Sequence, residues 1–378
     1  MTRIYFDNAS TSPVDQRVLD RMTDLLTHQY GNPSSIHHHG RIARSLVEES
    51  RKQIANVLGA SIGEIFFTSS ATEANNMILK NAVEHLGVNH LVTSPTEHPC
   101  VLNSIQYLKE KHTIAVTYLN VDSQGNPDLK QLADSLQDGQ QRSLVSLMHG
   151  NNELGTITDI AAVSEICSAS GALFHCDTVQ TLGKVPLDVN AVNFSFLCGS
   201  AHKFHGPKGI GFFYMNMENL IPPYIHGGAQ ERNMRAGTEN LYGIAGMADA
   251  LDIAVEEMDH NKAHILKLRE HFKQRIDRDL KDVEYNGNQE DNFLHHILSV
   301  SFPATERADM LMFNLDISGI SASSGSACSS GIEADSHVLV ATGRAGNRKT
   351  IRFSFSKYNT IEEVDVVVDK LKTMTPVQ

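Results

Sequence analysis

The chain has 378 residues, of which 41% are hydrophobic and 20% charged, with a formal net charge of −12. That length exceeds what one core usually fills, so two domains of an ordinary soluble globular protein are expected. The acidic balance argues against a nucleic-acid or anionic-membrane partner, since either needs basic patches to face phosphate.

At the start of the chain, Asp7, Asn8 and Pro13 interrupt any apolar run, so no secretory leader is expected. No stretch reaches the roughly 18 apolar residues of a membrane span. Pro13 is placed to open a helix through "VDQRVLDRMTDLLTHQY". The turn-rich "GNPSS" follows, then "IHHHG". Neighbouring residues point apart on a helix or a strand, so these three histidines do not converge on one metal ion.

From Ile65 to about Tyr214, short apolar runs alternate with helical patterns: "EIFFTSS" with "ATEANNMILKNAVEHL", "HLVTSP" with "PCVLNSIQYLKEK", "SLVSLM" with "DIAAVSEICSAS". This alternation predicts βαβ units on a largely parallel sheet flanked by helices. In "FFTSSATEANN", Ser70 and Glu73 fit a capping box after a strand. The first N–H groups of that helix, around Ala71 and Thr72, suit a phosphate. "ALFHCDTVQTLGK" places Asp177 just past a buried strand, where a carboxylate needs a cationic or N–H partner. In "FLCGSAHKFHGPKGIGFFY", Lys203 stands between apolar runs beside Ser200 and His202, with Gly206 and Gly209 letting backbone approach a ligand. A lysine so held suits a Schiff base, and a carboxylate placed like Asp177 suits a pyridinium nitrogen.

From Asn240 to about Leu280 a proline-free helical pattern predicts two helices or one long one joining the domains. Beyond it, "HHILSVSF", "ADMLMFNL", "KTIRFSFSKY" and "IEEVDVVVDKL" predict a small α+β domain. In "TIRFSFS", Arg352 alternates with Ile351 and Phe353, so it faces away from their core. The five cysteines are odd in number and form no C-x-x-C pair, which favours free thiols in a reducing cytosol. Cys100, Cys167, Cys176 and Cys198 read as packing residues beside helix and strand patterns. Cys328 does not: "SASSGSACSSG", Ser321 to Gly331, offers nothing to bury it and reads as a mobile loop presenting a thiol.

Over nearly its whole length the chain resembles the cysteine desulfurases, the sulfur-mobilising branch of the class-V aminotransferases on the fold-type-I pyridoxal-phosphate scaffold. The resemblance rests on "YFDNASTSPVD", "GNPSSIHHHG", "TSSATEANN", "TEHPCVLNS", "MHGNNELGTITDI", "HCDTVQTLGKVPLD", "SAHKFHGPKGIG", "GGAQERNMRAGTEN", "SSGSACSSG" and "TIRFS". It implies a large domain (15–255) built on a mainly parallel seven-stranded sheet flanked by helices. A small α+β domain (1–14 and 256–378) would carry the cysteine loop at about 321–335.

By the same resemblance, Lys203 matches the lysine that carries pyridoxal 5'-phosphate, Asp177 the partner of the ring nitrogen and Gln180 that of the ring hydroxyl. His98 matches the histidine that stacks on the ring and assists proton transfer. Ala71, Thr72, Ser200 and His202 match the phosphate positions, and Thr238 one reaching the phosphate of a second subunit, which implies a homodimer. Asn152 and Arg352 match the residues that hold the substrate carboxylate, Asn152 also touching the cofactor. Cys328 matches the cysteine that takes sulfur from L-cysteine as a persulfide, leaving L-alanine, for a sulfur-acceptor protein in the cytoplasm. No resident metal is implied; a transient iron–sulfur ligand role for Cys328 stays open. So do a selenocysteine lyase and another class-V lyase or aminotransferase, although a plain transaminase has no need of Cys328. Two departures bear on the acceptor: "SSGIEADSHVLVATGRAGNRK" differs from the family's usual sequence after the cysteine, and the chain ends soon after "IRFS". A third, Ser70 for the usual Gly, falls at the phosphate corner.

Overall fold

The computed structural model describes residues 3–137, 141–304, 310–324, 336–346 and 348–377. Cys328 lies outside the described residues. The chain opens with β1 (Ile4–Tyr5) and α1 (Gln16–His28). Asp15, rather than Pro13, sets the start of α1, its carboxylate accepting from the Arg17 N–H. The next helix, α2 (His38–Leu58), is absent from the sequence expectations, although its buried Ala43, Val47, Ile54 and Leu58 recur at helical spacing. His37 of the histidine triplet caps α2, its Nδ1 accepting from the Gly40 N–H at 3.3 Å.

The alternating region then runs β2 (Ile65–Thr68), α3 (Ala71–His85), β3 (His90–Thr93), α4 (Pro99–Lys111), β4 (Ala115–Tyr118) and α5 (Leu129–Ser135). It continues through β5 (Ser143–Ser146), α6 (Ile160–Ser170), β6 (Leu173–Asp177), β7 (Phe196–Ser200) and β8 (Gly211–Met215). These strands form a seven-stranded sheet in the order β2-β8-β7-β6-β5-β3-β4. Neighbours are parallel from β7 to β4, while β8 runs antiparallel between β2 and β7. Helices cover both faces, which is why β7 and β8 are buried along their whole length instead of alternating.

The helical stretch beyond is two helices, α7 (Leu241–Glu256) and α8 (Met258–Asp279), meeting at Glu257. The remaining elements are β9 (Glu284–Asn286), β10 (Ile297–Phe302), α9 (Leu311–Ile317), β11 (Ile320–Ser321), α10 (His337–Ala341), β12 (Lys349–Ser354) and α11 (Ile361–Lys372). A three-stranded antiparallel sheet, β12-β10-β9, packs its apolar face on α8 and α11. Ile4 and Phe6 from the start of the chain are buried in this second core, Phe6 meeting Phe272 and Phe355 edge-on.

One edge of the large sheet collects the chemistry. Thr68, Ser200 and Asp177 end β2, β7 and β6 there, and α3 and α4 begin there. In an open sheet of this kind, ligands bind outside the carboxyl ends of the strands. Gly211 allows the crowding: a Cβ on it would lie 2.7 Å from the Gly199 carbonyl and 3.0 Å from the Ala71 nitrogen. The start of α3 can therefore rest directly on the sheet.

Candidate active site

A cavity of 320 Å³ lies at that edge, between the two cores. Ala71, Thr72, His98, Asn152, Asp177, Gln180, Ser200, His202, Lys203 and Arg352 all line it. Residues from six separate motifs of the sequence thus converge on one space.

At one end stands the N-terminus of α3. Ser70 caps it, its Oγ accepting from the Glu73 N–H at 3.3 Å. The expected capping box is only half made: Glu73 accepts from the N–H and hydroxyl of Ser69, at 2.9 and 2.6 Å, and pairs with Arg235 at 2.9 Å. The cap thus belongs to the Ser70 side chain alone, with the first N–H groups of α3, Ser200 and His202 at the same end of the cavity. Burial and the Lys203 charge push the His202 imidazole down to about 4, so it is neutral at pH 7.

Asp177 also lines the cavity, buried, the last residue of β6. Asn75 Nδ2 donates to its Oδ2 at 2.8 Å, and the Val179 N–H donates to Oδ1 at 3.0 Å. Asn75 is in turn held by His175, whose Nε2 lies 3.0 Å from Asn75 Oδ1 and whose Nδ1 lies 2.9 Å from Ser146 Oγ. Because an amide oxygen only accepts, His175 carries its proton on Nε2 and takes the Ser146 hydroxyl proton at Nδ1. Burial pushes His175 down to about 4, in keeping with this neutral form. Every partner of Asp177 in this chain of contacts is a neutral donor.

His98 caps α4, and its Nδ1 receives the Cys100 N–H at 3.2 Å and faces Cys100 Sγ at 3.0 Å. A backbone N–H can only donate, so Nδ1 is bare and the neutral ring holds its proton on Nε2. Burial favours this neutral state by lowering the His98 pKa, against the raising influence of Asp177.

Lys203 follows β7 in a single helical turn, and its Nζ donates to the Ala9 and Ser10 carbonyls at 2.8 Å each. Ala9 O also accepts from Gln180 Nε2 at 2.9 Å. Arg352, on β12, is only 2% exposed. Its Nη1 donates to the Asn152 carbonyl at 2.7 Å, and Nη2 reaches Asp7 Oδ1 at 2.9 Å and Ser10 Oγ at 2.6 Å. Ile351 and Phe353 point the other way, into the second core.

Two expected residues are not in this cavity. Cys328 lies outside the described residues. Thr238 is exposed and lines a different pocket, with Ser69 and Arg235. Conversely, the cavity holds residues that the sequence expectations leave out. Cys100 lines it rather than merely filling the helix start; burial pushes its thiol up to about 12, so it stays protonated. The Ala9–Ser10 carbonyls and Asp7 were hidden as well, in a segment whose only local signal is a turn. Among the described residues there is no group of three or more His, Cys, Asp or Glu that could hold a metal ion, and no helix is long and apolar enough to cross a membrane.

The family described as Aminotransferase class-V matches residues 4–367. The cysteine desulfurase IscS of Dictyoglomus turgidum is 40% identical over 384 residues, covering 99% of this chain and 96% of that protein. A solved structure named NifS-like protein superposes with a TM-score of 0.91 at 39% identity, covering 98% of this chain and 99% of its own. A second, SspA in complex with cysteine, has a TM-score of 0.82 at 32% identity, covering 95% of this chain and all of its own, 100%.

Proposed function

The chain belongs to the class-V aminotransferase family, and we propose that within it the protein is a cysteine desulfurase, converting L-cysteine to L-alanine and a persulfide on Cys328. One observation carries this reading: a helix N-terminus, a buried carboxylate and a lysine amine all line one cavity, the set of groups that pyridoxal 5'-phosphate requires. The donor set fits that group. Neutral donors, namely the first N–H groups of α3, Ser200 and His202, suit its phosphate. Asp177 suits a protonated ring nitrogen, Gln180 the ring oxygen, and Lys203 the carbonyl carbon. When bound, pyridoxal phosphate supplies an electron sink for an amino acid bonded to it.

The residues of the chain do the rest. Asp177, held by Asn75 and Val179, keeps a proton on the ring nitrogen. Arg352 receives the substrate carboxylate, for which its planar guanidinium offers a two-pronged donor, and Asn152 lies beside it. Lys203 takes the proton from the substrate Cα. His98, which lines the cavity with its proton on Nε2, would lie against the bound ring and help return a proton to the product. The Cys328 thiolate attacks the substrate sulfur, the carbon–sulfur bond breaks, and the sulfur leaves as a persulfide on Cys328. A thiol of ordinary pKa ~8.5 already has about a tenth of its population as thiolate near pH 7.5.

We take residues 15–255 as the cofactor-binding domain and 1–14 with 256–378 as the small domain. The protein works as a cytoplasmic homodimer, Thr238 reaching the partner's phosphate site; its exposure, away from its own cavity, supports that placement. An acceptor protein removes the persulfide for iron–sulfur assembly or thiolation.

Cys328→Ser tests the reading. The loaded variant keeps its borohydride-sensitive visible band and still binds cysteine, but forms no persulfide and falls to background in alanine production. Near-normal alanine from cysteine would instead make the protein a plain lyase. Lys203→Ala, which should lose the borohydride-sensitive band, checks the cofactor assignment separately.

A further inference from the structure

Behind Gln180 lies a second, smaller cavity of 40 Å³ between the two cores, lined by Lys184, His296 and Asn8 among others. Nothing in the proposed chemistry uses these residues, yet His296 is buried, Lys184 is half-buried, and both are titratable. We propose that His296, supported by Lys184 at the Gln180 backbone, is a positioning residue that holds the Gln180 amide with its N–H side toward Ala9 and the active-site cavity.

The hydrogen bonds dictate the orientation. Gln180 has its amide nitrogen 2.9 Å from the Ala9 carbonyl, which can only accept, so the amide oxygen must turn the other way. There His296 Nε2 lies 3.3 Å from Gln180 Oε1. An amide oxygen cannot donate, so His296 carries its proton on Nε2 and Nδ1 is a bare acceptor. That Nδ1 is buried without a partner, as is the Asn8 side-chain oxygen. Asn8 cannot turn round to relieve this, because its Nδ2 already donates to the Ser354 and Tyr5 carbonyls at 2.9 and 3.2 Å.

Lys184 lines the same cavity as both orphaned acceptors. Its Nζ reaches the Gln180 backbone carbonyl at 3.3 Å, and no carboxylate pairs with it among the described residues. The cavity exceeds the ~10–15 Å³ that one water needs. A water held there by Lys184 would donate to Nδ1 and Asn8 Oδ1. Burial pushes Lys184 down to about 7, with the Lys203 charge adding to it. Burial, then Lys184, His295, Arg352 and Lys203, all push the His296 imidazole well below its ordinary value, so it stays neutral with a single N–H to give.

The consequence reaches Lys203. Ala9 O accepts from both Gln180 Nε2 and Lys203 Nζ. A Gln180 amide turned round would set oxygen against that carbonyl and withdraw its N–H from the cavity. His296 directly precedes β10 of the second core, whereas Gln180 follows β6 of the first. The relative placement of the two cores is thereby felt at the cofactor.

This inference rests on the pyridoxal-phosphate reading, and the pH midpoint of the loaded enzyme's visible band tests it. An N–H on the ring oxygen favours its anionic form, so losing that donor raises the pH at which the loaded enzyme releases its proton. His296→Phe is expected to raise the midpoint by about one pH unit, a roughly tenfold change in proton affinity. His296→Gln, which restores an N–H, returns it to near wild type, and Lys184→Met moves it the same way by less. An unchanged midpoint in both His296→Phe and Lys184→Met overturns the proposal, even if both variants melt earlier. If His296→Phe does not fold, Lys184→Met and His296→Gln still decide it: a raised midpoint in the first alone supports the relay, and equal midpoints refute it. A wild-type protein with no borohydride-sensitive band refutes the cofactor reading as well.

Discussion

The two ends of the active-site cavity are built differently. Asp177 stands on β6 and is held by Asn75 from α3 and by the Val179 N–H, all within the first core. Arg352 stands on β12 of the second core and reaches across to Asn152 and to Asp7 and Ser10 near the start of the chain. The Asp177 end is assembled from neutral donors that fit only one arrangement, because His175 and Ser146 lock Asn75 in turn. The Arg352 end is an ion pair between segments 345 residues apart, and Arg352 Nε is buried with no partner. The first end is a fixed mount. The second is exchangeable: Asp7 occupies a guanidinium that an incoming carboxylate could claim.

Removing the mount should have the largest effect. Asp177→Ala leaves the Asn75 amide and the Val179 N–H without their acceptor, at about 1–3 kcal/mol each. Cofactor retention should fall and turnover should drop to background, measured by dialysis against apo-enzyme and by alanine release. Retained cofactor with normal turnover would show that the mount is not where the ring binds.

Arg352→Ala should instead spare the cofactor and weaken cysteine binding. A hydrogen bond to a charged group contributes about 1.5–3 kcal/mol, or roughly one to two decades in affinity, read from KM and from spectral titration. Equal loss of cofactor and cysteine would erase the distinction between the two ends.

Acid should separate them too. Burial holds His149 and His175 down to about 4 and His295 down to about 3, against ~6.5 in an unfolded chain. The folded state therefore binds fewer protons, and the stability these groups contribute is present above pH ~6.5 and lost as the pH falls towards 4. Each adds a slope of up to ~1.4 kcal/mol per pH unit in that window. Denaturation followed between pH 7 and 4 should show it, with protonation of His175 loosening the Asp177 end. A flat profile would mean these histidines are not held neutral.

The smallest effect sharpens the exchange idea. Asp7→Asn removes the competing charge while keeping the shape, so KM for cysteine should fall a few-fold, while thermal stability drops because the buried Arg352 guanidinium loses its carboxylate. A raised KM would instead make Asp7 the group that orients Arg352.

Much of this was legible in the sequence because it is local. The helix α4 (Pro99–Lys111) follows from Pro99 after His98 and the apolar spacing beyond. The βα alternation predicts the parallel sheet, and the positions of Lys203 and Asp177 at strand ends mark the edge where ligands bind. The capping box at Ser70 came out half formed because Arg235, distant in the chain, competes for Glu73. In α2 the apolar spacing is diluted by Ser50 and Arg51 on the buried face, and only the fold supplies the Arg51 partner Glu231, 2.8 Å away. Local spacing thus determined most of the elements and their order and marked Lys203 and Asp177, while the resemblance supplied roles for His98, Asn152, Gln180 and Thr238. Tertiary structure alone decided that Cys100 enters the cavity, that Asp7 meets Arg352, and that His296 turns the Gln180 amide. Each of those contacts joins segments remote in sequence, where packing of the two cores sets the partner and neither propensity nor periodicity carries any trace of it.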